Sequence, residues 1–110
     1  MFVRVGPGNG DEHDKEVALC IRYAVDNGAR VINMSFGKPF SHHNKWMIAA
    51  MKYAEKKGVL LVHAAGNDGM SLDVRDFYPN RYISKNKTLQ NWIAVGSIDM
   101  DGNPASSSNY

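Results

Sequence analysis

The 110-residue chain contains 44% hydrophobic and 22% charged residues, a balance that is typical of a globular domain and excludes an intrinsically disordered segment. A formal net charge of +2, with the basic residues scattered along the chain, argues against nucleic-acid binding. No apolar run approaches the roughly 18 residues of a membrane span, so we expect no membrane partner. The single cysteine, Cys20, excludes a disulfide within the chain and is expected in the core, on the apolar face of a helix.

Strand and helix signals alternate along the first part of the chain. Residues 2–5 form a short β-type run that ends in the glycine-rich turn 6–10. A helix is predicted to begin at Asp14, as its N-cap, and Gly28 stands where a left-handed C-terminal cap is expected. Residues 30–34 are almost continuously apolar, which is typical of a parallel strand covered on both faces.

The second part of the chain repeats this alternation. A helix is predicted over residues 45–57 and a strand over 59–65. A long polar segment, 67–91, then leads into a fourth strand over 92–97. Strands that alternate with helices predict an α/β fold: a parallel β-sheet with covering helices and right-handed crossovers. The strand ends would then share one edge of the sheet, at Val5, Met34, Ala65 and Ser97.

The two most informative motifs directly follow the second and third predicted strands. One runs from Asn33 to Gly37, and the other runs through Ala65, Gly66 and Asn67 into an Asp-Gly turn. Open α/β sheets bind their ligands at the carboxyl ends of such strands. Acyl transfer builds negative charge on a carbonyl oxygen, and an asparagine amide fixed there stabilises it without adding net charge. From these residues alone, Asn67 could equally do no more than satisfy a turn.

Together these segments resemble motifs of the subtilisin-like serine proteases, the subtilases, and the resemblance extends at varying strength over nearly the whole chain. It implies a partial subtilisin-like three-layer fold and a serine endopeptidase that acts on peptides or proteins without a cofactor. In that family the residue matching Asn67 is the oxyanion-hole asparagine. The residues matching Ser35, Phe36 and Gly37 form the strand along which the substrate lies.

The resemblance implies further substrate contacts. Ala65 and Gly66 would line the primary specificity pocket, and their small size suggests a roomy, apolar pocket. Gly8 and Gly10 match, loosely, the segment that flanks the peptide on its other edge.

The resemblance also implies that the chain is the central part of a catalytic domain, residues 1–110, truncated at both ends. Subtilases order their triad Asp, His, Ser along the chain. The first two would precede Met1 and the serine would follow Tyr110, so we expect the isolated chain to be inactive. Its cut sheet edges favour homo-oligomers. A secreted or cell-envelope location is suspected from the family, although the residues leave the compartment open.

Several other functions are weighed against this interpretation. The main alternative is a non-enzymatic peptide-binding or assembly module built on the same core. A nucleotide-binding turn at residues 6–10 is disfavoured, because its spacing fits neither common phosphate motif and no lysine follows. A triad of Ser35, His63 and Asp68 or Asp99 lacks a group that would orient the histidine, which is expected in the core or at a strand end.

No metal site is expected. His42 and His43 have no cysteine or carboxylate at ligand spacing. Asp99, Asp101 and Asn103 alternate like calcium ligands, but the glycine and the last ligand are misplaced, so the segment is predicted to be a turn.

Overall fold

The structure is a computed structural model that describes residues 1–6 and 13–110. It contains two α-helices and five β-strands among these residues. In chain order they are α1 (Asp14–Asp26), β1 (Val31–Met34), α2 (Asn44–Lys56), β2 (Leu60–Ala64), β3 (Tyr82–Ser84), β4 (Lys87–Thr88) and β5 (Trp92–Val95).

Three strands form a parallel sheet in the order β1-β2-β5. The register places Met34 beside His63 and Ala64 beside Val95, so all three strands end at one edge. Strands β3 and β4 form a separate antiparallel pair. The predicted α/β class and parallel sheet are therefore confirmed, and the residues that follow β1 and β2 are brought side by side.

The two helices pack on each other and cover one face of the sheet. Their apolar residues recur every three or four positions, so each helix turns a single stripe towards Met34 of β1 and Leu61 of β2, both buried. The opposite sheet face carries Val31, Ile93 and Val95, each about half exposed. Among the described residues, then, the chain forms two layers of a partial three-layer fold.

The N-terminal predictions need correction. Residues 2–5 are not a strand in the described part of the chain, so Val5 does not join the shared strand edge. Helix α1 begins at Asp14 with His13, not Asp14, as the N-cap. The Asp14 carboxylate is buried, ion-paired with Lys38 Nζ at 2.9 Å, and accepts hydrogen bonds from the segment before α2. It therefore ties two parts of the chain together instead of capping its own helix.

Two further expectations have mixed outcomes. Gly28 has φ +82°, as the predicted left-handed cap requires. Cys20 is only half-buried, and its Sγ donates a hydrogen bond to the carbonyl of Arg4 at 3.3 Å, so it is not a core residue. Neither helix of the described chain has the length and apolar character that crossing a membrane would require.

The long segment predicted only as polar has structure of its own. It contains the β3–β4 pair, and Tyr78 forms an isolated antiparallel bridge with Lys38. The two backbone hydrogen bonds of that bridge measure 3.0 and 2.8 Å. The bridge places Phe77 beneath the ends of β1 and β2, where the candidate site lies.

Candidate active-site cleft

A cleft of about 350 Å³ opens between the ends of β1 and β2. Because the strands are parallel neighbours, the two motifs that follow them must meet here. One wall comes from the segment after β1 and the other from the turn after β2, with Phe77 between them. The lining residues are Ser35, Phe36, Gly37, Pro39, Ala64, Gly66, Asn67, Asp68 and Phe77.

The turn that carries Asn67 is held by a residue far along the chain, Asn109. Asn109 is 2% exposed, and its side chain uses both ends of the amide. Nδ2 donates to the carbonyl of Ala65 at 2.9 Å, while Oδ1 accepts the backbone N–H groups of Asp68 at 2.9 Å and Met70 at 3.0 Å. The side chain of Asn67 is exposed and makes no hydrogen bond within the described chain. The backbone on both sides of Asn67 is thus held, and Asn67 itself lines the cleft.

Gly66 is required by the same arrangement. Its φ is +104°, in the region that side chains rarely adopt, and its carbonyl accepts the backbone N–H of Asn109 at 3.0 Å. A Cβ at this position would clash with Asn109 Nδ2 and lie 3.0 Å from Phe77 Cζ. Gly66 therefore permits the tight turn and also makes room for the residues that fix it.

Phe77 forms the floor of the cleft. Its ring edge lies so near Gly37 that a Cβ there would clash with Cε1, and the same edge approaches Gly66. The expectation of a roomy pocket was based only on the small size of Ala65 and Gly66. Phe77, from the polar segment, occupies part of the space that they leave.

Behind Phe77 lies a second cavity, of about 210 Å³. His63, Ala65 and Trp92 contribute to its wall, so Ala65 faces this cavity and not the cleft. His63 is 3% exposed, with its ring centroid 5.9 Å from that of Phe77 and 5.1 Å from that of Trp92. The expectation that His63 is a core residue agrees with this burial.

The surroundings of His63 define its charge. Nε2 is buried without a partner among the described residues. Burial lowers the pKa of His63 from 6.5 to about 4, and the backbone of Phe36 opposes that shift more weakly. His63 is neutral at ordinary pH.

The cleft wall after β1 is also anchored from the helix side. Burial alone would raise the pKa of Asp14, but the hydrogen bonds from Lys38, the His43 N–H and Ser41 outweigh it and hold that pKa below its usual range. Asp14 accepts from Ser41 Oγ at 3.0 Å and from the His43 N–H at 2.6 Å. The ionised carboxylate thus fixes Lys38, the residue next to Gly37 of the cleft.

The described residues do not assemble a triad on Ser35. Its Oγ is hydrogen-bonded to Asn33 Nδ2 at 2.9 Å, and His63 has no carboxylate partner among the described residues. Asp99 accepts the backbone N–H groups of Asp101 and Asn103, at 2.9 and 2.8 Å, which confirms the predicted turn. Within the described ranges no group of three histidine, cysteine or acidic side chains could hold a metal ion.

Comparison with known proteins identifies the architecture around this cleft. The family described as the subtilase family matches residues 1–110 of the chain. The chain belongs to the subtilase family. Its relatives include the thermophilic serine proteinase of Bacillus sp. (strain AK1), 40% identical over 110 residues, which are 100% of this chain and 24% of that protein. Thermitase of Thermoactinomyces vulgaris is 38% identical over 110 residues, or 35% of its length.

Solved subtilase structures share the fold. A lanthipeptide protease superposes with a TM-score of 0.79 at 27% identity, covering 96% of this chain and 33% of the other. The nisin leader peptidase NisP of Lactococcus lactis gives a TM-score of 0.76 at 28% identity, covering 97% and 36%. The chain spans about a quarter to a third of the length of these relatives.

The structure brings together most of the residues singled out from the sequence. Five of them line the cleft: Ser35, Phe36, Gly37, Gly66 and Asn67. Ala65 lies behind it, and Gly8 and Gly10 fall outside the described residues. Sequence reasoning missed Asn109 and the role of Phe77. For Asn109 the available signal was a polar residue next to a serine run at the end of a predicted loop, which is too common to single out.

Proposed function

We propose that this chain forms the central part, residues 1–110, of the catalytic domain of a serine endopeptidase. In this proposal it supplies the peptide-docking strand and the oxyanion-hole amide. The observation that carries it is the placement of Asn67, exposed at the mouth of a cleft on a turn that Asn109 holds through three hydrogen bonds. A donor carried on a fixed turn stabilises charge that develops only in the transition state.

The segment after β1 would bind the substrate through its backbone. The carbonyl of Arg30 accepts from Leu60 N at 2.9 Å, so in an extended backbone the groups of the even-numbered residues, including Phe36, point towards β2. In an extended backbone, the groups of Ser35 and Gly37 then point to the opposite, open edge. A peptide added there as a further strand would gain main-chain hydrogen bonds, with the cleft selecting its side chains. Gly8 and Gly10 are proposed, by family likeness, to flank its other edge.

The reaction would be acyl transfer from a peptide bond to a serine. The triad aspartate, histidine and serine are proposed to come from the remainder of the catalytic domain, since Ser35 is bonded to Asn33 and His63 has no carboxylate partner among the described residues. Asn67 would donate to the carbonyl oxygen as it becomes an oxyanion. Gly66 would shape the cleft beside it, and Ala65 would contribute from the wall of the cavity behind Phe77. No cofactor is needed for this chemistry.

The test is Asn67→Ala in the full-length protein. We expect turnover to fall by about 10²-fold or more while KM changes little, because the amide acts on the transition state. That magnitude was measured in subtilisin itself and is carried over by family membership. Asn103→Ala, an exposed asparagine in the Asp99 turn and outside the lining of the cleft, is the matched control and should keep full turnover.

Two outcomes would contradict the proposal. Unchanged turnover in a folded Asn67→Ala variant would remove Asn67 from the oxyanion role. Peptide binding without hydrolysis by the unmodified full-length protein would support the alternative, a non-enzymatic peptide-binding or assembly module.

A further inference from the structure

Three parts of the molecule around the cleft meet at Lys38. Its backbone N–H donates to the Tyr78 carbonyl at 3.0 Å, and its carbonyl accepts the Tyr78 N–H at 2.8 Å. Lys38 directly follows Gly37 of the cleft wall, and Tyr78 directly follows Phe77 of the floor. The Lys38 side chain is ion-paired with Asp14 Oδ1 at 2.9 Å. Lys38 therefore joins the wall and the floor of the cleft to the first residue of α1.

The Asp14 carboxylate holds a whole segment, residues 38–43, beside the helices. While Oδ1 is paired with Lys38, Oδ2 accepts a hydrogen bond from Ser41 Oγ at 3.0 Å and another from the His43 N–H at 2.6 Å. One carboxylate is thus bonded at both ends of the segment that leads from the cleft wall to α2. Asp14 is 4% exposed, so water cannot readily replace these bonds. Charge-assisted hydrogen bonds are stronger than neutral ones, so they restrict this segment and the wall before it.

The opposite wall of the cleft has a different anchor. The turn that carries Asn67 is held by Asn109, which bonds Ala65, Asp68 and Met70. None of these residues belongs to segment 38–43 or to α1. Each wall of the cleft is therefore held by its own buried polar side chain.

The two walls would have different roles in the reaction, and this step rests on the proposed function. A peptide paired with the docking segment, Ser35–Gly37, keeps its main-chain hydrogen bonds in the bound state and in the transition state. Interactions that are equal in both states lower KM and leave kcat unchanged. The donor on the Asn67 turn acts on charge that develops only in the transition state, so it changes kcat.

We propose that Asp14 is a positioning residue for substrate binding. Through its ion pair with Lys38, it holds the docking segment in the extended form that a peptide needs for backbone pairing. Without this ion pair the docking segment would have to be ordered by the peptide itself. The conformational entropy lost in that ordering weakens binding. Conversion of the bound peptide would proceed as before, because the Asn67 turn is anchored elsewhere.

The first experiment measures kcat and KM of Asp14→Asn in the full-length protein. The substitution keeps the shape of the side chain and removes the charge that pairs with Lys38. We expect KM to rise by about 10-fold and kcat to stay within about 2-fold. A purely structural role would instead lower the amount of folded enzyme, and hence the apparent kcat, at constant KM. That result, or an unchanged KM, would overturn the proposal.

Asp26→Asn is the matched control. Asp26 is the last residue of the same helix, and its carboxylate accepts a hydrogen bond from Tyr53 of α2 at 2.6 Å. The control therefore makes the same chemical change at a contact between α1 and α2, away from the cleft wall, and should keep KM. An equal rise of KM in both variants would mean that helix packing, and not the Lys38 ion pair, carries the effect, which contradicts the proposal.

A second variant tests whether Asp14 acts through Lys38. Lys38→Met removes the ammonium group and keeps an unbranched apolar chain, so it should raise KM by a similar factor. The double variant should be no worse than either single one, because both remove one ion pair. Factors that multiply in the double variant overturn the proposed route. If Asp14→Asn is unfolded by circular dichroism, Lys38→Met with unchanged KM overturns the proposal as well.

A binding measurement separates this inference from the proposed function. Calorimetry with a product peptide, which ends in the carboxylate that cleavage would create, needs no hydrolysis. We expect Asp14→Asn to bind this peptide about 10-fold more weakly than the unmodified protein, and Asp26→Asn to bind it equally well. The same loss in a protein that cleaves no peptide removes only the endopeptidase activity. Cleavage with equal peptide binding by Asp14→Asn removes only the role of Asp14. A folded protein that neither binds nor cleaves peptides overturns both.

Discussion

Replacing Asn109 by alanine should loosen the turn that carries Asn67. The side chain contributes three hydrogen bonds, and it is 2% exposed, so water cannot simply take its place. The substitution leaves the carbonyl of Ala65 and the N–H groups of Asp68 and Met70 without their partners. Of these, the Ala65 carbonyl is the most deeply buried, since its bond to Asn109 is fully enclosed.

The magnitude follows from these three groups. A buried polar group that loses its partner costs about 1–3 kcal/mol, and a partly buried one that water can reach costs less. With one fully enclosed carbonyl and two partly buried N–H groups, we expect the free energy of unfolding to fall by about 3 kcal/mol. Turnover should fall as well, because an oxyanion donor is effective only when it is held in position.

The assay pairs urea unfolding with kcat and KM of the full-length protein. Asn91→Ala is the matched control, because Asn91 also bonds strand backbone, donating to the Val59 carbonyl at the opposite end of the sheet. The control should lose stability and keep kcat, whereas Asn109→Ala should lose both. A loss of stability below about 1 kcal/mol with unchanged kcat would refute the assignment of Asn109 as the anchor of the turn.

Three further predictions follow from single features of the structure. Because burial lowers the pKa of His63 to about 4, the unfolded chain binds a proton first as pH falls below 6.5. The free energy of unfolding should therefore keep its full value above pH 6.5 and fall by up to about 3 kcal/mol between pH 6.5 and 4. In His63→Leu this fall should be smaller. A His63→Leu variant with the same pH dependence of stability would contradict the burial of a neutral His63. Gly66→Ala should cost more stability in urea unfolding than Gly28→Ala, by about 1 kcal/mol or more, because both have positive φ but only Gly66 also faces Asn109 and Phe77. Equal losses of stability in the two variants would mean that Asn109 and Phe77 can move aside at little cost in free energy. The isolated chain should form dimers or larger oligomers through the apolar sheet face at Val31, Ile93 and Val95. Light scattering over a dilution series measures this, and a monomer at high concentration would contradict it.

The sequence determined the sheet edge and therefore the cleft. Apolar runs at β1 and β2, alternating with amphipathic helices, are local signals that need no knowledge of distant contacts. Once the strands are parallel neighbours, Ser35–Gly37 and Gly66–Asn67 must follow them at one edge. The family motifs reinforced that inference at the same positions.

The predictions for the N-terminal residues were wrong where one local sequence pattern is compatible with two structures. Residues 2–5 have strand composition, but a strand exists only where another strand pairs with it, and the described chain offers no such partner. Asp14 fits an N-cap equally well, yet its carboxylate is ion-paired with Lys38 and hydrogen-bonded near α2. In both cases a contact distant in sequence decided between two locally acceptable structures.

Only the tertiary structure revealed how the cleft is held and closed. Asn109 lies 44 residues from its partner Ala65, and no periodicity links a buried amide to a turn so far away. Phe77 belongs to a segment whose composition predicts only a polar connection, and the backbone bridge between Lys38 and Tyr78 sets its place under the cleft. Periodicity and motifs report the neighbours of a residue along the chain. The hydrogen bonds and packing that fix a site depend on neighbours in space, which exist only after the chain has folded.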